Sequence, residues 1–146
     1  MKKLIPLISL CLLFAACKTN PPAENQPEVP EITPEIVISI DYMTEEITGT
    51  EYVDFSGGEH VIVQTNAPAK DFSFIKVDHA DTDLYPGEVL YTERELSPGE
   101  QLVFETLIPE NFPTRGISYI DHNNIKKTFA ICWNGSDGSL YLMELE

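Results

Sequence analysis

From residue 36 onward apolar and polar side chains alternate in short runs. Ile36, Ile38, Ile40 and Tyr42 fall on one face of an extended segment, and Val37, Ser39 and Asp41 fall on the other. A period of two is the signature of a strand with one buried face. Comparable runs follow at Ile47–Phe55, Glu59–Thr65, Asp71–Asp78, Val89–Arg94, Gln101–Ile108, Arg115–Asp121, Ile125–Trp133 and Ser139–Leu145. No window sustains the 3.6-residue period of a helix. Turn chemistry separates the runs: Gly57-Gly58 after the second, Pro86-Gly87 and Pro98-Gly99 on either side of the fifth, and Asn134-Gly135-Ser136-Asp137-Gly138 before the last. Glycine supplies positive φ and proline fixes the entry to a turn, so these are loop positions with a mechanism.

Strands recurring about every twelve residues without intervening helices predict an all-β domain, a small antiparallel β-sandwich of two sheets. An immunoglobulin-like or fibronectin-III-like arrangement is the expected topology, with an open β-barrel as the alternative. That likeness is one of fold alone. The Cys…Trp…Cys spacing of antibody-type domains is absent, so Trp133 inherits no role from it.

The first residues follow a different rule. Met1-Lys2-Lys3 is a short positive start, and Leu4 to Ala16 (LIPLISLCLLFAA) is an apolar stretch ending in small residues, the layout of a secretory signal. It falls short of the ~20 apolar residues that a membrane-spanning helix needs. Phe14-Ala15-Ala16-Cys17 resembles the lipobox of bacterial lipoproteins, with Phe14 where Leu is usual. The resemblance covers residues 1–17. It implies that the Cys17 thiol receives a diacylglyceryl group, that signal peptidase II cuts before Cys17, and that the new amino terminus can be acylated as well, for example with palmitate. Two or more acyl chains hold a protein stably on a bilayer. By the family's sorting rule, Lys18 rather than Asp after the cysteine directs the protein to the outer membrane if the host is Gram-negative.

Residues 18–35 (KTNPPAENQPEVPEITPE) hold five prolines and no apolar periodicity, as expected of an extended tether. The expected organisation is therefore a signal peptide over 1–16, a lipidated Cys17 with a Pro-rich tether to 35, and a β-sandwich over 36–146. About 110 residues suffice to bury a core without staples. Cys11 lies in the leader and Cys17 is the acylation site, which leaves Cys132 alone and excludes an internal disulfide in the mature chain.

The formal charge of −15 becomes −17 when Lys2 and Lys3 leave with the leader. Nucleic-acid binding, which requires basic patches, is excluded on this balance. The acidity itself favours solubility at a crowded membrane surface.

Candidate chemistry is sparse. His60, His79 and His122 form no paired spacing that would build a zinc site. Cys132 alternates with Ile131 and Trp133 on a strand and reads as a buried, inert thiol. No serine sits in a nucleophile elbow, no glycine-rich phosphate loop is present, and Glu93/Glu95 read as the polar face of a strand. No catalytic residue, cofactor or metal is assigned. The densest polar cluster is the inter-strand loop from Asp78 to Glu88, which lacks the Gly and terminal Glu of a calcium-binding EF-hand loop. Loops on rigid scaffolds carry recognition, and this one combines carboxylates with an aromatic. Asp78, Asp81, Asp83, Tyr85 and Glu88 are therefore the expected ligand-binding residues. The expected function is a membrane-anchored, non-catalytic binding module for an envelope protein or glycan. An accessory or inhibitor subunit of an envelope complex is the alternative, and a small lipoprotein enzyme a remoter one.

Overall fold

The computed structural model describes residues 35–45, 50–55 and 57–146, the side chain of Glu51 excepted. Cys17, the leader and residues 18–34 of the tether lie outside them. Among the described residues nine strands follow one another: β1 (Ile38–Tyr42), β2 (Glu51–Asp54), β3 (Glu59–Thr65), β4 (Ala69–Ala80), β5 (Asp83–Leu96), β6 (Gln101–Thr106), β7 (Arg115–Ile120), β8 (Lys126–Trp133) and β9 (Leu140–Glu144). Each falls within or overlaps a predicted segment. They form two open sheets, one ordered β1-β3-β6-β2 and the other β5-β4-β7-β8-β9. The domain is thus a β-sandwich rather than a barrel.

The chain changes sheet between β3 and β4, between β5 and β6, and again between β6 and β7. Strands β1, β3 and β6 occupy the places of immunoglobulin strands A, B and E, and β5, β4, β7 and β8 those of C′, C, F and G. Two strands depart from that plan. β2 runs parallel to β6 at the edge where an antiparallel strand D would lie, and β9 adds a fifth strand beyond β8.

Alternation delivers the core. Val61 and Val63 of β3, Leu102 and Phe104 of β6, Phe72 and Phe74 of β4, Ile117 of β7 and Ile131 of β8 meet between the sheets, most of them with no exposed surface. Phe74 and Phe104, from opposite sheets, stack with ring centroids 4.1 Å apart, and Phe55 stacks on Phe74 at 5.4 Å. Such rings combine a large buried apolar area with a preferred geometry. Gly58, at φ 138°, enters β3 so close to β6 that a Cβ would lie 2.5 Å from the Thr106 carbonyl. The Gly57-Gly58 signal is therefore a steric requirement as well as a turn.

One sequence expectation fails. Residues 78–88 are not an inter-strand loop. β4 and β5 are 12 and 14 residues long and form one extended hairpin closed by Asp81-Thr82, with Asp81 at φ 55°. Pro86-Gly87 lies inside β5, where the register with β4 slips between Ile75 and Val77, a β-bulge. Proline and glycine suit a bulge on an edge strand as well as they suit a turn.

Candidate interaction surface

Beyond Lys76, which pairs with Arg115 at the start of β7, the hairpin outruns its neighbour. Pairing fixes its two faces. Asp78 lies opposite Tyr85 and Ala80 opposite Asp83, so these four share one face, whereas His79 lies opposite Leu84 on the other, in line with Val77. The Val77/Leu84 face packs on Ala130 and Cys132 of β8 and on Leu145 after β9. The arm therefore lies over the outer face of its own sheet, crossing β7. Gly116 of β7 makes the crossing possible: a Cβ there would stand 2.9 Å from Val77 Cγ2 and 2.4 Å from the Phe129 carbonyl oxygen.

Three linked concavities surround this arm. A cleft of about 480 Å³ is bounded by His79, Asp81, Thr82, Leu84 and Phe112. One of about 420 Å³ lies between Thr82–Leu84 and Met143–Glu146. A smaller one of about 160 Å³ lies between the Pro109–Pro113 segment and Cys132, Trp133, Tyr141 and Met143. Thr82 and Leu84 join the first two, Met143 the second and third, and Phe112 the first and third, so they form one surface. At its centre Phe112 is 66% exposed, Tyr141 48% and Met143 38%. Phe112 meets His79 edge to face at 5.9 Å. Pro109 and Pro113 bracket it, limiting the backbone freedom of the segment that presents it.

The rim is acidic. Asp81, Asp83, Glu110, Glu144 and Glu146 border the clefts, and among the described residues no Lys or Arg does. Glu144 is engaged by Lys127 at 2.7 Å on an exposed flank. The Cys132 thiol faces the smallest cleft but is 7% exposed, and burial pushes its pKa up, which keeps it protonated and unreactive at neutral pH.

No protein-family model, curated protein or solved structure matches this chain.

The expected ligand-binding residues are spread along the arm. Asp81 and Asp83 stand at its tip and border the clefts. Asp78 and Tyr85 lie farther down the arm on the face that Asp83 shares, and the Asp78 carboxylate rests against Gly87, where a Cβ would meet Oδ2 at 2.5 Å. Glu88 sits in the bulge and pairs with Lys76, which holds its carboxyl below the ordinary range. These five do not converge on one point. Among the described residues, no group of three or more His, Cys, Asp or Glu is placed to hold a metal ion. His60 lies far along the other sheet, 3.7 Å from Glu105, and His122 is exposed in the β7–β8 turn beside Asn123. In that turn Asp121 accepts the N–H groups of Asn123 and Ile125, which holds its carboxyl low.

Phe112, Tyr141, Met143 and Trp133 were not singled out by the sequence. Two signals pointed to them. An aromatic between prolines in a loop has little core to enter, and Leu140-Tyr141-Leu142-Met143 is apolar on both faces of a strand, one more face than a sandwich core requires.

Proposed function

We propose that the protein is a membrane-anchored envelope lipoprotein whose β-sandwich is a non-catalytic interaction module, and that its partner is a protein held on the outer face of the five-stranded sheet. The anchor rests on the leader and on Cys17. The module rests on one observation: three joined clefts centred on exposed Phe112, Tyr141 and Met143 and bordered by carboxylates, with no Lys or Arg among the described residues that line them. Aromatics and methionine around an apolar centre with a polar rim are the composition of protein–protein interfaces. This favours a protein over a glycan. It suits an accessory or inhibitor subunit equally, since each works by occupying a partner.

The test is site-specific photo-crosslinking in the intact lipidated protein on its own cells. A crosslinker at position 112 should yield discrete protein adducts, and one at Val37, also exposed but just before β1 of the other sheet, should not. Cys17→Ser should abolish incorporation of a fatty-acid analogue and release the protein from the membrane fraction. Equal adducts at 37 and 112 would overturn the binding face, and label retained on the mutant would overturn the anchor.

A further inference from the structure

We propose that β9 is a docking edge: an extended, cationic segment of the partner protein pairs with Leu140–Glu144 as a sixth strand of the five-stranded sheet. This rests on the reading above that the outer face binds a protein.

The free strand edges are not alike. β5 is defended by Pro86, by two register slips against β4, and by Glu88, Glu93, Arg94 and Glu95, devices that prevent strand addition. β2 has four residues, two of them acidic. β1 turns Ser39 and Asp41 away from the core. β9 has fewer of these protections, its one charged residue being Glu144 at the end of the strand. It pairs with β8 over five consecutive positions without a bulge, contains no proline, and turns Tyr141 and Met143 outward.

Its hydrogen bonds show what it offers. Asn134 N–H donates to the Ser139 carbonyl at 2.8 Å and Leu145 N–H to the Thr128 carbonyl at 2.9 Å, which fixes the phase of the ladder. In an antiparallel pair, residues of that phase bond to the neighbour and the alternate ones point away. Leu140, Leu142 and Glu144 therefore present their N–H and C=O groups to the free side, where among the described residues no strand is hydrogen-bonded to β9, while β1 of the facing sheet approaches it. An added strand would set alternate side chains beside Tyr141 and Met143 on the outer face. The others would lie beside half-buried Leu142 at the border of the core.

Charge and composition select the occupant. Glu110 and Glu146 border the same face, and the whole chain carries −15, so a second copy would bring like charge against like. The chain's own tether is unsuited to the place. Its prolines at 21, 22, 27, 30 and 34 leave no five-residue run between them free of proline, and it carries Glu24, Glu28, Glu31 and Glu35. What fits is a segment of another protein in which Lys or Arg alternates with apolar residues, main-chain bonds supplying affinity and the alternate side chains specificity.

Hydrogen exchange on the full chain tests this with two eight-residue peptides, alternating Lys-Val and alternating Glu-Val, up to about 1 mM. The Lys-Val peptide should slow exchange of the Leu142 and Glu144 amides about tenfold, and the Glu-Val peptide should not. Glu144→Pro removes one outward N–H and leaves the backbone bonds to β8 intact, losing only the Glu144–Lys127 ion pair, and Met143→Lys adds an opposing charge beside the edge. Each should abolish the slowing while the amides of Ile131 and Val61 stay protected; if Glu144→Pro fails to fold, Met143→Lys decides. Equal slowing by both peptides, slowing along β5 or β1 instead, or none at all would overturn the proposal. Crosslinking at position 112 separates the two readings. Adducts there with no slowing at β9 retain the binding face and discard the strand addition, whereas loss of the adducts discards the face itself.

Discussion

The two faces of the five-stranded sheet are built from the same strands and meet different fates. The inner face sets Phe72, Phe74, Ile117 and Ile131, none with exposed surface, against a second sheet. The outer face buries Val77, Ala130 and Cys132 under a hairpin arm, with Leu84 and Leu145 half-buried at the margin and Phe112, Tyr141 and Met143 exposed beyond it. Burial between two sheets is supported from every side and stabilises the whole domain. Burial beneath an arm depends on that arm staying down, so the outer cluster belongs to the part of the molecule that opens most readily. Stability and recognition are thereby separated onto opposite sides of one sheet, as expected where a rigid scaffold presents a site it does not need for folding.

The sharpest way to break this contrast is to damage the inner face. Phe104→Ala removes a ring that stacks on Phe74 and Phe55 and leaves a cavity between the sheets. It should cost about 3–5 kcal/mol, a large part of the stability of a domain this size. Urea unfolding with coincident fluorescence and circular dichroism measures it. A loss under about 1 kcal/mol would mean that the inner face is not the main source of stability.

Gly116 lies between the two regions. Adding a methyl group there crowds Val77 on the outer side and the Phe129 carbonyl in the neighbouring strand. Gly116→Ala should cost about 1–3 kcal/mol, in the range of overpacking rather than of a cavity. Val77→Ala in the same chain should recover part of the loss, because one of the two obstructions is the Val77 methyl. A double mutant no more stable than Gly116→Ala alone would show that Val77 does not lie over β7 as described.

The inner face was legible in the sequence because a period of two leaves little choice. β3 matches its predicted span at both ends, and β6 through β9 differ only in terminal residues. The arm was not legible, because Pro86-Gly87 reads equally as a turn or a bulge, and the actual turn, Asp81-Thr82, contains no glycine to announce it. Aspartate tolerates the left-handed region well enough to close the hairpin. The surface was half legible. Asp81 and Asp83 were found from their charge. Phe112, Tyr141 and Met143 were not, since a strand apolar on both faces does not say which face remains uncovered, and Phe112 sits among residues far in sequence from the rest of the surface.

Leu84 tests how firmly the arm is held. It is half-buried and stands near the exposed start of β5, so Leu84→Ala should cost about 1 kcal/mol, less than a fully buried leucine. Its effect on exchange should be more local than its effect on stability. Amides from Val77 to Leu84 should exchange faster while those of Phe72 and Ile117 keep their protection. Uniform acceleration through both faces would mean that arm and sandwich open as one unit, and the distinction between the two regions would fail.

The smallest expected effect on stability is at the centre of the candidate surface. Phe112 is 66% exposed and meets the arm at His79, with the two ring centroids 5.9 Å apart. Replacing it with serine removes apolar surface that is mostly in water already, so Phe112→Ser should change stability by no more than about 0.5 kcal/mol. The same should hold for Met143→Ser on β9, which is 38% exposed. Binding should respond the other way. If these two side chains are anchors, the double substitution removes apolar contact from the centre of the interface, and a truncated anchor typically weakens association by about 2 kcal/mol or more, roughly thirtyfold or greater. The measurement pairs a melting curve with capture of whichever partner the crosslinker at position 112 or Tyr141 identifies. A melting curve left in place beside lost capture is the outcome that fits a surface kept for recognition. A large fall in melting temperature would instead make Phe112 and Met143 part of the fold, and the outer face would then be a second core with no partner to explain.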